Sequence, residues 1–251
     1  MLSRNFRLQK IGDINWLQKN YDFSKISFFI DELVVLNVSR NQNDINEFLR
    51  DLEKLTFGCF VPITAGGGIR SINYARNLLN SGADKIVVNT PIFENKELVE
   101  NLSIKFGQQC IVASIDLKRK KNSEYEIYSN SGMKLIDISP DTIMKNINYN
   151  LVGELYLNSI DQDGTGQGFD LDIIKILPFD FSLPIILAGG AGNANHIITA
   201  LKHSRVDAVA TANLLNFVGD GLKSARKAVV TSGIKLAYWP SIEDINRSIK
   251  S

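Results

Sequence analysis

Short apolar runs alternate along this chain with longer stretches whose apolar residues recur every three or four positions. Asp31-Glu32-Leu33-Val34-Val35-Leu36-Asn37-Val38 has the pattern of a strand, and residues 44–55 set Ile45, Phe48, Leu49 and Leu52 on one helical face. The alternation continues with strands predicted at 60–65, 85–89 and 110–116. Helices lie between them at 73–81 and 95–106, closed by Gly82 and Gly107. A polar insert opens at Lys118-Arg119-Lys120-Lys121-Asn122, and 124–128 with 133–136 form a hairpin around Asn130-Ser131-Gly132. Pro140 suits the first turn of a helix running to about residue 150. Strands follow at 153–160, 184–188 and 207–211, with helices at 171–176, 194–203 and 221–230. Residues 6–11 supply a weakly alternating first strand. Eight near-continuous apolar strands interleaved with helices predict a parallel sheet buried on both faces and closed on itself, a (β/α)8 barrel. An open doubly wound sheet is the structural alternative.

An internal repeat favours the barrel. Ala65-Gly66-Gly67-Gly68 and Ala83-Asp84-Lys85 reappear as Ala188-Gly189-Gly190-Ala191 and Val206-Asp207-Ala208. Gly66 to Gly189 and Asp84 to Asp207 are both 123 residues apart. Asp116 has no counterpart 123 residues earlier, and residues 14–30 carry no clean helical stripe, so the first strand–helix unit is expected to be shortened.

The 251 residues suit one barrel domain spanning 1–251. With 28 basic against 27 acidic residues, bulk charge favours neither nucleic acid nor an anionic membrane. No apolar run has the length of a membrane span, and the start of the chain has no secretory-signal core, so a cytoplasmic protein is expected. Cys59 and Cys110 are expected to be buried thiols. His196 and His203 have no nearby cysteine, and no metal site or cofactor is expected.

Barrel ligands sit at the carboxyl ends of the strands. The glycine turns containing Gly67 and Gly68, and Gly189 and Gly190, fit phosphate sites, because glycine lets backbone N–H groups approach an anion. Asn89 with Thr90, and Ala212 with Asn213, end the neighbouring strands and complete each cradle. Simple strand-to-helix turns are the alternative. Asp116 ends the fifth strand, where a carboxylate serves as acid or base or holds a loop. Asp161-Gln162-Asp163-Gly164-Thr165-Gly166 follows the sixth strand and reads as an active-site loop or as a plain Asp/Gly turn.

At the opposite ends of the strands, Glu32, Lys85 and Glu154 fall at one level of the second, fourth and sixth strands, with Ala208 at the fourth place. Buried charges are costly unless paired. A salt-bridged plug is therefore expected, with Arg4 or Arg7 joining it. It closes the barrel floor or gates a small molecule.

On these segments, together with Asn89-Thr90, Ser114-Ile115-Asp116 and Ser159-Ile160-Asp161-Gln162-Asp163-Gly164-Thr165, the chain from about residue 31 onward resembles the HisF family. That family is the cyclase subunit of imidazole glycerol phosphate synthase. The resemblance implies a separate HisH-like glutaminase docked at the floor, with Asp84 at the interface. It also implies ammonia passing a gate to which Glu32, Lys85 and Glu154 correspond. The ammonia would meet a bisphosphorylated ribulosyl substrate held by the two phosphate sites, with Asp116 as a catalytic aspartate. Asp161, the structural aspartate of the loop after the sixth strand, is counted with Gly164 and Thr165 among the phosphate-binding residues.

The family's other catalytic aspartate ends the first strand in a Cys-Leu-Asp segment, where this chain has Leu8-Gln9-Lys10-Ile11-Gly12. That departure resembles the WbuZ-type, glycosyl-amidation-associated HisF-like group. It implies ammonia delivery to an ATP-dependent amidotransferase that builds acetamidino sugars. A true cyclase and a non-catalytic scaffold that activates a glutaminase are the rival expectations.

Overall fold

A computed structural model describes residues 2–10, 12–39, 44–147, 150–212 and 221–237. In chain order, β1 (Leu2–Arg4) and β2 (Arg7–Gln9) precede two short helices, α1 (Ile14–Asn20) and α2 (Phe23–Ile26). Then come β3 (Leu33–Leu36), α3 (Ile45–Thr56), β4 (Ile63–Gly66), α4 (Ile72–Asn80), β5 (Lys85–Val88), α5 (Thr90–Glu94) and α6 (Lys96–Phe106). β6 (Ile111–Arg119) continues into the hairpin β7 (Tyr125–Ser129) and β8 (Lys134–Ile136), followed by α7 (Pro140–Asn146) and β9 (Glu154–Ser159). β10 (Ile185–Ala188), α8 (Ala194–Leu201), β11 (Ala208–Ala210) and α9 (Gly221–Thr231) follow, and 3-10 turns span Gln108–Cys110 and, where a helix was expected, Leu171–Ile176.

Seven strands pair in parallel in the order β11-β10-β9-β6-β5-β4-β3, and β7 adds to β6 antiparallel. The curvature can be read from one side chain. Lys85 on β5 contacts both Glu32, just ahead of β3, and Glu154 on β9. β3 and β9 are four strand spacings apart, about 19 Å in a flat sheet. Two carboxylates meet one ammonium only because the sheet is strongly curled. Past the last strand, Arg226 of α9 donates to Asp31 ahead of β3 at 2.9 Å, drawing the two ends of the sheet together. This is the (β/α)8 barrel architecture.

The helices bury their apolar faces outside the sheet. Leu52 of α3, Leu78 of α4 and Leu102 of α6 are fully buried in the main core, each worth about 1.5–3 kcal/mol relative to exposure. Along β9 the faces separate: Leu155 and Leu157 are buried in that core, while Glu154, Tyr156 and Asn158 share the other face, towards the barrel interior.

The beginning of the chain departs from expectation. The strand expected over 6–11 shrinks to β2 and stays out of the barrel sheet: β1 and β2 pair antiparallel with each other around Asn5 and Phe6, both at positive φ, and Ile11 lies outside the described residues. Leu8, Gln9 and Lys10 are exposed, since this polar stretch has no apolar face to bury. Segment 14–30, without a helical stripe, nevertheless forms α1 and α2, each started by an aspartate. Asp13 accepts from Trp16 N–H, and Asp22 from Lys25 N–H. Cys59 and Cys110 are half-buried rather than buried.

Candidate functional site

The carboxyl end of the sheet is built around Asp116. Asn89, at the end of β5, donates through Nδ2 to Asp116 Oδ2 at 3.2 Å and to the Ser114 carbonyl at 3.0 Å. Asn158 on β9, the register partner of Asp116, donates to Oδ1 at 3.4 Å. Burial pushes the Asp116 carboxyl up to about 7; the Asn158 bond opposes this, and the negative charge of Asp163 adds to it. A group balanced at that value can both give and take a proton near neutral pH.

Both glycine turns adopt a conformation that side chains avoid. Gly67 and Gly68 have φ of 95° and 70°, and Gly189 and Gly190 have 93° and 105°. A Cβ on Gly67 would lie 2.0 Å from the Asn37 carbonyl oxygen, and one on Gly190 2.0 Å from that of Gly168. The matching pairs are 122 residues apart. The letter-by-letter repeat equates Gly66 with Gly189, one position off at the turns and in step again at Asp84 and Asp207. Those two aspartates do the same work: Asp84 accepts from Ile63 N–H at 2.8 Å, and Asp207 from Ile185 N–H at 2.8 Å.

The loop after β9 lies against the second turn. Gly168 N–H donates to the Gly190 carbonyl at 2.7 Å, and Gly166 backs onto Gly192. Thr165 donates its hydroxyl to the Gln162 carbonyl at 2.8 Å. Asp161 accepts from Arg119 N–H at 2.7 Å. Gly164, at φ 70°, packs against Ser3, whose hydroxyl bonds Asp163.

At the floor, Lys85 Nζ lies 2.7 Å from Glu32 Oε2 and 2.6 Å from Glu154 Oε1, and Thr64 donates to the other oxygen of Glu32. Burial pulls the Lys85 ammonium down, but its bonds to Glu154 and Glu32 more than offset this and hold it above its ordinary value. Glu154 Oε2 is buried without a partner among the described residues, as is Asn89 Oδ1 at the upper end. Around the floor, Phe57, Phe60 and Phe179 are exposed, and Phe60 meets Phe28 edge-on at 4.9 Å.

Residues 15–219 match the family described as histidine biosynthesis protein. A protein of Parasynechococcus marenigrum (strain WH8102), named "Putative imidazole glycerol phosphate synthase subunit hisF2", is 44% identical over 248 residues. That match covers 98% of this chain and 92% of the relative. The chain belongs to the HisF family.

Within this HisF chain, the structure brings together Glu32, Lys85 and Glu154 at one end of the interior and Asn89 with Asp116 at the other. It does not bring Arg4 to the floor. The neighbouring Ser3 and Asn5 bond Asp163, and Arg4 itself is exposed, so the residue lies at the opposite, carboxyl end. Arg7 is exposed on the same hairpin. Thr90 begins α5, and its hydroxyl accepts from Asn130 N–H at 3.3 Å. Ala212 is exposed beyond β11, and Asn213 lies outside the described residues. Asp84 is exposed at the floor while holding the start of β4.

Sequence reading gave Asn158 no role, took Asp163 only as part of the loop after the sixth strand, and took Arg119 only as part of the polar insert. The register of β9 against β6 is the signal for Asn158, since it sits two residues beyond Tyr156 on the face that carries Glu154.

Proposed function

We propose that this HisF chain accepts ammonia from a HisH-like glutaminase docked at the floor and conducts it through the barrel interior to Asp116. The observation that carries this reading is the Glu32–Lys85–Glu154 cluster, set at one end of an interior whose other end is Asp116. Glu154 Oε2 and Asn89 Oδ1 are acceptors without partners among the described residues at the two ends of that route, suited to a small N–H donor in transit. The exposed Phe57, Phe60 and Phe179 supply apolar anchors for a partner on the floor. The two left-handed glycine turns, with the loop after β9, hold the anionic groups of a phosphorylated substrate.

The nitrogen passes on to an ATP-dependent amidotransferase that forms acetamidino sugars of surface glycans. Supporting this destination, the hydrogen-bond partners of Asp116 among the described residues are two amides rather than a second carboxylate. The second reading is cyclisation to imidazole glycerol phosphate. It is favoured by the charge of Asp163 acting on Asp116 and by the name of the 44% identical relative.

The test reconstitutes the chain with a HisH-type glutaminase and amide-15N glutamine. Label in a sugar amidine, with the amidotransferase present, supports the first destination. Label in an imidazole product from the bisphosphorylated ribulosyl substrate supports the second. In either assay Lys85→Met should leave glutamine hydrolysis intact and release ammonia to solution. Unchanged nitrogen transfer in that variant would reduce the chain to a scaffold.

A further inference from the structure

Three residues beyond Asp116, the end of β6 is tied to the loop after β9 through one residue. Arg119 donates its backbone N–H to Asp161 at 2.7 Å, at the start of that loop. Its guanidinium grips Asp170, at the loop's far end, in a two-pronged contact: Nη2 to Oδ1 at 2.5 Å and Nε to Oδ2 at 3.3 Å. Nη2 also reaches Asp172 at 2.9 Å. Tyr125 on β7 donates its phenol to Asp170 at 2.9 Å, and the guanidinium lies 5.0 Å from the centre of its ring. Asp170 is only 9% exposed. A buried carboxylate with charge-assisted, two-pronged bonds is fixed in position as well as compensated in charge.

Both ends of the 161–170 segment are therefore held by Arg119. Its middle rests on the second glycine turn through Gly168 N–H to the Gly190 carbonyl at 2.7 Å. Nothing in the first half of the chain repeats this clamp among the described residues. We infer that Arg119, with Asp170, is a positioning residue for the second anion site. It sets the height of the 161–168 loop against Gly189 and Gly190 without touching the ligand. The inference rests on reading that turn as an anion site.

Inorganic phosphate is the probe, titrated by calorimetry into the full chain and into Arg119→Met, Arg119→Lys and the control Lys121→Ala. In enzyme sites a misplacement of about an ångström can cost on the order of 10²-fold in rate, and a loop that positions anion donors is subject to the same geometric demand. Arg119→Met should weaken phosphate about tenfold or more, Arg119→Lys should recover part of the loss, and Lys121→Ala should match the parent. A folded Arg119→Met protein with lower thermal stability but unchanged phosphate affinity would overturn the inference. If the parent binds no phosphate, the anion-site reading fails, and hydrogen exchange decides the clamp. Faster exchange across 161–170 in Arg119→Met upholds it; unchanged exchange refutes it.

Discussion

Asn158 holds its side-chain amide 3.4 Å from Oδ1 of Asp116, across the boundary between β9 and β6. This bond works to keep the carboxyl ionised against burial, beside the Asn89 amide at Oδ2. Asn158→Ala should therefore raise the Asp116 midpoint above its parent value near 7, followed by carbon-13 NMR of the carboxyl. A midpoint that stays put would show that the amide does not bear on Asp116.

The same group sets a pH dependence of stability. Asp116 is raised from 3.8 to about 7 on folding, so the folded chain binds the proton more tightly than the unfolded one. Stability contributed by this site is complete below about pH 4 and falls as pH rises towards 7. Above that it is lower by at most about 4 kcal/mol. Asp116→Asn should remove this slope and be the more stable protein at pH 8, measured by urea denaturation across the range.

Removing the cation at the floor leaves two carboxylates facing each other. Lys85 and its partners keep about a fifth of their side-chain surface exposed, so the cost falls below that of a fully buried pair. Lys85→Met should destabilise by about 2 kcal/mol. Adding Glu32→Gln and Glu154→Gln should restore most of it, as a chemical denaturation series would show.

The two kinds of glycine in the turns should respond differently to a methyl group. At Gly68 a Cβ meets open space, so Gly68→Ala carries only the left-handed backbone penalty of about 1–2 kcal/mol. Gly190→Ala adds a collision with the Gly168 carbonyl and should cost about 3 kcal/mol or more. Calorimetric melting of the two variants side by side separates the effects.

Asp84 and Asp207 each hold the first N–H of a strand at 2.8 Å in their own half of the barrel. Each Asp→Ala change should cost about 1 kcal/mol, and the double variant their sum, because the sites share no partner. A large departure from additivity would show that the halves are not independent at these positions.

The alternation of apolar runs and helical stripes was enough to predict the seven described parallel strands, the hairpin after β6 and most helices between them; the short α5 went unpredicted. Burial on both faces of a parallel sheet leaves its mark on every strand. The floor cluster was legible too, because a charge at the same place in three otherwise apolar strands demands a partner. The first strand failed where polar residues 7–10 left no face to bury. α1 and α2 escaped notice because capping aspartates, rather than an apolar stripe, start them.

What the chain of residues by itself determined was the architecture, its duplication and the types of group at each end of the interior. Only the folded structure decided which of them meet. It drew Asn158 and Asn89 onto Asp116, took Arg4 away from the floor, shifted the glycine turns one place out of the written repeat and joined Arg119 to Asp170. Those contacts depend on the curl of the sheet and the stagger between neighbouring strands, which bring together residues 27 to 160 positions apart. Local periodicity holds no record of such distances.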